Sequence, residues 1–313
     1  MRGDPMPGGN VRRILAIGGS TTECLYLDQI EAWPQVLQAR LNELTKGHER
    51  FWVGNVGRSG RNARHHVLQI EKLLDTHPQI DSVIVLVGVN DLTLRLSADS
   101  DEPVTLEDRE KLMNEAFAVH QDADASLPFY KRLMIWRMAR QIKRNFVAPE
   151  NYFHYQSDTG TEYAEWRKNR QRATRIRETL PDLTLALAEY EANLRAIVQA
   201  AQSRGVSIRL MTQPAMWSAD LPEELHGLLW LGGVGQFHVG SAQEYYSVEA
   251  LAEGLEQYNA ALRRVCKEMN VMCIDLAAQV PQGVSAFYDD VHFNESGARI
   301  VAQIAMDSFI TVN

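Results

Sequence analysis

Residues 13–23 read Arg-Ile-Leu-Ala-Ile-Gly-Gly-Ser-Thr-Thr-Glu, an apolar run followed by two glycines and a cluster of hydroxyl side chains. The apolar run predicts a buried strand, the glycines a tight turn, and the residues from Ser20 onward the start of a helix. In open α/β sheets, ligands bind beyond the carboxyl ends of the strands, which is where this turn would lie. We therefore expect an α/β fold with Ser20 at the ligand-binding edge of its sheet.

Strands and helices alternate along much of the remaining chain. Further strands are expected at residues 51–56, 82–87, 206–213 and 271–276, and helices at about 33–44, 64–75, 183–204, 248–269 and 296–310. The β-branched run at 82–87 is typical of a parallel strand that is buried on both faces. This alternation predicts a three-layer α/β/α sandwich with a mainly parallel sheet, of the flavodoxin-like type.

The length and composition are those of an ordinary globular protein. The chain has 313 residues, of which 45% are hydrophobic and 23% charged. We expect a single domain over residues 1–313, because one large α/β domain with an insertion accounts for this length. The alternation of strand and helix breaks after Asp91, so residues 95–180 are expected to form an inserted helical cap or lid.

Several classes of partner are disfavoured by charge and hydropathy. A net charge of −8 argues against general binding of nucleic acid, which favours a basic surface. No apolar stretch of about 18 residues is present, so no membrane-spanning helix is expected. Residues 129–147 have an amphipathic pattern, but Arg132 and Lys143 interrupt its apolar arc, so membrane contact is not indicated.

The compartment and the oligomeric state are left open. The first ten residues lack the apolar core of a signal peptide, so the sequence as written predicts a cytoplasmic location. A secreted or anchored protein trimmed of its signal would show the same pattern.

No metal or organic cofactor is expected. Cys24, Cys266 and Cys273 have neither disulfide-framework nor metal-ligand spacing, and we interpret them as buried thiols. His65 and His66 are neighbours on a predicted helix and point in different directions, so a solvated surface pair is favoured over a metal site. Phosphate-loop and dinucleotide signatures, which would follow a strand, are also missing.

A second chemically informative segment lies near the end of the chain. Residues 288–297 read Tyr-Asp-Asp-Val-His-Phe-Asn-Glu-Ser-Gly, with Asp289 three positions before His292. A serine hydroxyl needs a base to become a nucleophile, and the base needs an acceptor that orients it. Ser20 by itself is equally suited to cap a helix, and Asp290 is a rival partner for His292.

Two further segments place small or amide residues at strand ends. Residues 55–60 read Asn-Val-Gly-Arg-Ser-Gly, and residues 88–91 read Gly-Val-Asn-Asp. A backbone N–H at Gly60 or the amide of Asn90 would suit the stabilisation of an oxyanion. The simpler interpretations are a loop glycine and a turn signal, with Asp91 making structural hydrogen bonds.

With these four segments in this order, the chain resembles the SGNH (GDSL-type) serine hydrolase family. The resemblance implies that Ser20 is the nucleophile and that Asp289 and His292 complete a catalytic triad. It further implies an oxyanion hole formed by the N–H groups of Ser20 and Gly60 and by the side chain of Asn90. In one departure, Gly19 stands where the family usually has an aspartate, which removes a possible local hydrogen bond.

The expected activity is hydrolysis of short-chain acyl esters through an acyl-enzyme on Ser20, with a small-molecule ester as the partner. Two alternatives use the same fold. One is an acyltransferase or deacetylase that acts on carbohydrate esters, and the other is a non-catalytic binding module. The apolar, glycine-rich stretch within residues 216–246 is interpreted either as a packed connection or as the wall of an acyl pocket.

Overall fold

The structure, a computed structural model, describes residues 2–98, 109–117, 159–235 and 243–310. Its strands are β1 (Arg12–Gly18), β2 (Phe51–Asn55), β3 (Ser82–Leu86), β4 (Arg175–Arg177), β5 (Ser207–Met211), β6 (Glu244–Tyr246) and β7 (Met272–Ile274). Its helices are α1 (Ser20–Glu23), α2 (Trp33–Thr45), α3 (Ala63–Thr76), α4 (Val89–Ala98), α5 (Arg109–Phe117), α6 (Thr159–Gln171), α7 (Thr184–Gln202), α8 (Val248–Met269), α9 (Leu276–Gln279) and α10 (Glu295–Ile310).

Five strands form a parallel sheet in the order β2-β1-β3-β5-β7. The chain moves outward from β1 to β2 and then crosses back past β1 to β3, β5 and β7. Because crossovers of this kind are right-handed, the reversal of direction places helices on both faces. Accordingly, α2 packs against α10, whereas α3, α7 and α8 pack together in a separate layer. The predicted three-layer sandwich is confirmed.

Local sequence explains most of these elements. All five residues of β3 are buried, as expected of a central parallel strand. Helix α2 has Pro34 in its first turn, where a missing N–H costs nothing. Helix α8 begins at Ser247, whose hydroxyl accepts the N–H of Ala250 at 3.1 Å. Gly205, in the turn between α7 and β5, has a φ of +70°, a conformation that favours glycine after a helix.

A second, smaller sheet was not predicted from the sequence. Strands β4 and β6 pair in parallel through three residues each, with Ile176 opposite Tyr245. The sequence of β4 is Arg-Ile-Arg, which is too short and too polar to predict a strand by pattern. These strands form because tertiary contacts bring the two segments together.

The segment predicted as an insertion begins inside α4, at residue 95, and includes α5, α6 and β4. Helix α5 packs on α3. The amphipathic stretch 129–147 lies outside the described residues. Within the parts of the chain that the structure describes, no helix is both long and apolar enough to cross a membrane.

Candidate active site

Ser20 lies directly beyond the carboxyl end of β1, as the first residue of the short helix α1. The cap of this helix is Gly19, whose carbonyl accepts the N–H groups of Thr22 at 3.1 Å and Glu23 at 3.0 Å. The hydroxyl of Ser20 instead lies 2.7 Å from Nε2 of His292. The interpretation of Ser20 as an N-cap is therefore wrong.

His292 is held by Asp289 through the tight turn that joins them. The two carboxylate oxygens of Asp289 lie 2.8 and 2.9 Å from Nδ1 of His292. Oδ1 also accepts the backbone N–H groups of Val291 at 3.1 Å and His292 at 2.9 Å. The structure thus joins Ser20, His292 and Asp289 in one hydrogen-bonded chain, although Ser20 is far from the other two in sequence.

The electrostatics of this pair favour an imidazole that readily accepts a proton. Burial alone would raise the pKa of Asp289, but the charge of His292 and the hydrogen bonds to the carboxylate outweigh it and hold the pKa below its usual value. Burial alone would lower the pKa of His292, yet the charge and hydrogen bond of Asp289 and the charge of Asp290 raise it above its usual value. His292 is therefore a stronger base than a free imidazole.

Asp290, the rival partner, faces away from His292. Its Oδ1 accepts the indole N–H of Trp217 at 2.8 Å, and its Oδ2 accepts the backbone N–H groups of Trp230 at 2.7 Å and Leu231 at 3.3 Å. The side chain has no solvent exposure. Burial and then the charge of Asp289 raise the pKa of Asp290 to about 6. Its contacts make it an anchor for the loop around residue 230.

Gly60 lies in the loop that follows β2 and flanks α1. The N–H of Arg58 donates to the carbonyl of Gly18 at 2.9 Å, which ties this loop to the end of β1. Gly60 has a φ of +73°, a conformation that glycine adopts without strain, and a Cβ there would meet no atom within 4 Å. Its requirement for glycine is therefore conformational.

The carboxylate of Glu23 fixes the same loop from the side of α1. Glu23 is only 3% exposed, and its Oε2 accepts both the backbone N–H and the hydroxyl of Ser59 at 2.7 Å each. Its Oε1 pairs with Arg58 at 3.3 Å. The residue immediately before Gly60 is thus bonded to the helix that carries Ser20.

Asn90 lies in the first turn of α4, and its Nδ2 donates to the carbonyl of Arg61 at 2.7 Å. An amide nitrogen has two N–H groups, so this bond orients the second one without consuming it. A Cβ at Gly19 would lie 2.3 Å from the same nitrogen. The glycine that departs from the family pattern therefore leaves room for the amide of Asn90 beside Ser20.

Asp91 makes the structural hydrogen bonds expected of it. Its two carboxylate oxygens lie 3.1 and 3.2 Å from the N–H of Ala63, in the first turn of α3. An acceptor at this position satisfies a helix N–H that has no intrahelical partner.

Five aromatic side chains form a cluster of which three members contact His292, and we call this cluster the aromatic wall: Tyr26, Tyr163, Trp166, Trp230 and Tyr288. The ring of Tyr288 is nearly parallel to the imidazole at 5.7 Å between centroids, and that of Trp230 is parallel to it at 6.4 Å. The ring of Tyr163 approaches edge-on at 6.1 Å. Tyr163 and Trp166 belong to α6, so the predicted insertion contributes two members of the aromatic wall, of which Tyr163 lies next to His292.

Two arginines of α6 fasten it to this site. Arg167 donates to the backbone carbonyls of Leu228 and Tyr288, each at 3.1 Å. Arg170 donates to the carbonyls of Leu231 at 2.5 Å and Tyr246 at 2.9 Å. Because the acceptors are backbone atoms on several segments, α6 is held in a defined position over them.

The interpretation of His65 and His66 as a solvated pair is wrong. His66 has no solvent exposure, and its Nδ1 lies 2.8 Å from Oε1 of Gln69. Burial lowers the pKa of His66 to about 4, so its ring is neutral. His65 is partly buried, with Nδ1 2.6 Å from Oδ1 of Asn62, the cap of α3. In the described parts of the chain, no group of three or more His, Cys, Asp or Glu side chains is arranged to hold a metal.

The three cysteines are free thiols, with Cys24 and Cys266 buried and Cys273 half-buried. Burial raises the pKa of Cys24 to about 12, which keeps this thiol protonated beneath the Ser20 helix.

The sequence did not reveal several residues that shape the site. Glu23 gave a weak signal, as an acidic residue beside the Ser-Thr-Thr cluster. Trp230 lies in the apolar stretch of residues 216–246, whose sequence is compatible both with a packed connection and with the wall of an acyl pocket. The structure shows a buried segment there that contacts the carboxylate of Asp289, because the indole Nε1 of Trp230 donates to it at 3.1 Å.

The fold and this arrangement are those expected of an SGNH (GDSL-type) hydrolase. The sequence matches the model of the GDSL-like Lipase/Acylhydrolase family over residues 16–300. The chain belongs to this family, and it is a carboxylic ester hydrolase. A search of curated proteins finds no match.

Solved structures support the fold assignment. One is LAE5, an α/β hydrolase enzyme from the metagenome of Lake Arreo, Spain, which is 13% identical with a TM-score of 0.50 and covers 96% of each chain. Another is a mutant of Axe2, an acetyl-xylooligosaccharide esterase from Geobacillus stearothermophilus. It is 16% identical with a TM-score of 0.50, covering 96% of this chain and 95% of the other. At these identities the likeness concerns the fold.

Proposed function

We propose that the protein hydrolyses short-chain acyl esters through an acyl-enzyme on Ser20. The observation that carries this proposal is the hydrogen-bonded chain from Ser20 through His292 to Asp289, with 2.7 Å between Oγ and Nε2 and 2.8 Å between Nδ1 and Oδ2. Distances of this size allow direct proton transfer from the hydroxyl to the imidazole. Asp289 holds the ring with Nδ1–H toward the carboxylate, which leaves Nε2 free to accept the proton.

In this mechanism, Oγ of Ser20 attacks the ester carbonyl while Nε2 of His292 takes its proton. The tetrahedral oxyanion receives hydrogen bonds from the N–H groups of Ser20 and Gly60 and from the second N–H of Asn90. His292 then returns the proton to the departing alcohol oxygen, and the acyl group stays on Ser20. Water attacks the acyl-enzyme by the same route, which releases the acid and restores Ser20.

We infer that α6 is part of a cap that selects which esters reach Ser20. Tyr163 of this helix lies 6.1 Å from His292 between ring centroids, and it contacts Tyr26 at 5.3 Å. Since His292 protonates the leaving alcohol, the aromatic wall lies on the side where the alcohol part of the ester would bind. The wall then sets preference for the alcohol more than for the acyl group.

A second candidate is deacetylation of a carbohydrate ester, or transfer of its acyl group to another alcohol. The specific observation is the aromatic wall, in which Tyr26 is 43% exposed. Aromatic rings offer rigid apolar faces with little entropy loss, and such faces suit the apolar side of a sugar ring. Hydrolysis and transfer share Ser20, His292 and Asp289 and differ in what attacks the acyl-enzyme.

The decisive experiment combines labelling with turnover. The purified protein should react covalently with a fluorophosphonate and hydrolyse p-nitrophenyl acetate, whereas Ser20→Ala should lose both, with kcat reduced by about 10³-fold or more. An Ala variant with normal turnover would refute the assignment of Ser20. Product analysis with and without acceptor alcohols separates hydrolysis from transfer. Absence of both labelling and turnover in the unaltered protein would refute the proposed acyl-enzyme on Ser20.

The cap proposal has its own test in Tyr163→Ala. The variant should keep fluorophosphonate labelling at Ser20, yet its relative kcat/KM across acetates of differently sized alcohols should change. Leu185→Ala is a matched control, because Leu185 is exposed on α7. An unchanged preference across that series would contradict the proposed role of α6.

A further inference from the structure

The carboxylate of Asp289 is shared between His292 and a tryptophan. Its Oδ2 lies 2.8 Å from Nδ1 of His292 and accepts the indole N–H of Trp230 at 3.1 Å. Asp289 has no solvent exposure, and Trp230 is 6% exposed. Hydrogen bonds to a buried carboxylate count more than those in water, because no solvent replaces them.

Trp230 is itself fixed at both ends. Its backbone N–H donates to Asp290 at 2.7 Å. Its ring packs against Trp166 at 4.8 Å and Tyr163 at 5.1 Å between centroids, both on α6. Asp290 and α6 therefore hold the indole of Trp230 in place, and the indole contacts Asp289 directly.

We propose that Trp230 is a positioning residue, whose indole N–H orients the Asp289 carboxylate and limits how much of its charge acts on His292. The inference rests on the proposed function and adds to it a residue that does not touch the substrate. A carboxylate with one donor fewer interacts more strongly with the imidazolium. Loss of the indole N–H should therefore raise the pKa of His292.

The surrounding charges bear on this expectation. Asp290 adds to the negative charge near His292, and Arg170 of α6 offsets part of it. Arg167 of α6 is bonded to the carbonyl of Tyr288. Among the described residues, the other titratable groups near the pair are Tyr26, Cys24, Tyr163 and Tyr288. Burial raises the pKa of the thiol and of the last two phenols, so those three stay neutral between pH 5 and 9.

Trp217 offers a matched control. It is 2% exposed, and its indole N–H donates at 2.8 Å to Oδ1 of Asp290, the neighbouring aspartate that does not touch His292. Replacing Trp217 with Phe therefore removes a similar ring nitrogen from a similar buried carboxylate. The pKa of Asp290 is already about 6, so losing this donor leaves Asp290 more protonated around that pH, and His292 should titrate at the same pH or lower. Asp289, whose pKa is held below its usual value, stays ionised when Trp230 loses its N–H.

The test measures kcat/KM for p-nitrophenyl acetate against pH in the full-length protein. Trp230→Phe should move the acidic limb up by about half a unit to one unit and lower kcat about tenfold, whereas Trp217→Phe should not move the limb upward. The midpoint of such a limb does not depend on how much of the protein is active, so partial misfolding does not alter it. An unmoved limb in Trp230→Phe, or an upward shift in Trp217→Phe, would overturn the proposal.

A second measurement needs no variant and no turnover. In protein labelled with ¹⁵N-tryptophan, the indole signal of Trp230, identified by its contact with the Nδ1 proton of His292, should titrate with the midpoint of His292. The inference is contradicted if the Trp230 signal does not change with pH. It is also contradicted if that signal titrates with the midpoint of the Trp217 signal and not with that of His292. If the unaltered protein neither labels nor turns over, the proposed function fails, and the indole titration still decides whether Trp230 and His292 are coupled.

Discussion

The carboxylate of Glu23 accepts two hydrogen bonds of 2.7 Å from Ser59, one from its backbone N–H and one from its hydroxyl. Glu23 ends the helix that begins with Ser20, and Ser59 precedes Gly60, whose N–H is a proposed oxyanion donor. This contact therefore holds the loop of residues 58–60 at a defined distance from the helix that carries Ser20. Precise placement of such donors contributes a large part of hydrolase rate enhancement.

Glu23→Ala should lower kcat about tenfold, because the loop that carries the N–H of Gly60 would lose its contact with α1. A tenfold loss corresponds to about 1.4 kcal/mol of transition-state stabilisation. KM should change little, since the lost contact acts mainly in the transition state. Glu23→Gln should recover part of the rate, because its amide oxygen still accepts the N–H of Ser59. Steady-state kinetics decide the point, with Glu43→Ala, an exposed change on α2, as the control. Equal kcat values in the two Ala variants would contradict the role of Glu23.

Gly19→Ala should lower kcat about ten- to a hundredfold while leaving the fold intact. The added Cβ would lie 2.3 Å from Nδ2 of Asn90, so the amide must rotate away and lose its bond to the carbonyl of Arg61. Gly8→Ala is the control, because a Cβ there meets no atom within 4 Å. Kinetics and thermal unfolding should be measured together. A variant that loses stability but keeps its kcat would show that Asn90 does not depend on Gly19.

Asn90→Ala should lower kcat by about 10²–10³-fold with a modest effect on KM, because its donor is used chiefly once the oxyanion forms. The double variant Gly19→Ala/Asn90→Ala should then be no slower than Asn90→Ala alone, since both changes act on the same amide. Additive losses in kcat would mean that Gly19 acts by another route.

Asp290→Asn should destabilise the protein by about 1–3 kcal/mol, because one buried N–H would lose its acceptor and face an amide N–H₂. The three donors concerned are Trp217, Trp230 and Leu231. Urea unfolding measures the change, and Asp220→Asn in an exposed loop serves as the control. Equal stability of the two variants would show that the carboxylate at position 290 is not an anchor.

The acidic limb of kcat/KM should have its midpoint above the value of about 6.5 of a free imidazole. Catalysis needs neutral His292, whose pKa is raised, so activity is lost as the pH falls through that raised pKa. Asp289→Asn should move the midpoint down and lower kcat strongly, since the substitution removes the negative charge that raises the pKa of His292. A midpoint below that of free imidazole in the unaltered protein would contradict the electrostatic role of Asp289.

The sequence by itself determined the order of the sheet's strands and helices along the chain. The spacing of apolar residues and the turn residues within a short segment predict strands such as β3 and helices such as α2. This works because the backbone geometry of a strand or helix repeats between residues that are close in sequence. The same holds for Asp289 and His292, which lie within one turn of chain. Local spacing placed both Asp289 and Asp290 within reach of His292, and the structure shows that Asp289 is the partner.

The tertiary structure alone decided which distant residues touch. Trp230 and Asp289 are 59 positions apart, and Glu23 and Ser59 are 36 apart. The pairing of β4 with β6 and the burial of His66 likewise depend on segments that are remote in sequence. A pattern of apolar residues predicts that a side chain is buried but does not identify the residue that it contacts. The partner is fixed only when the sheet has folded and each buried polar group has found a donor or an acceptor.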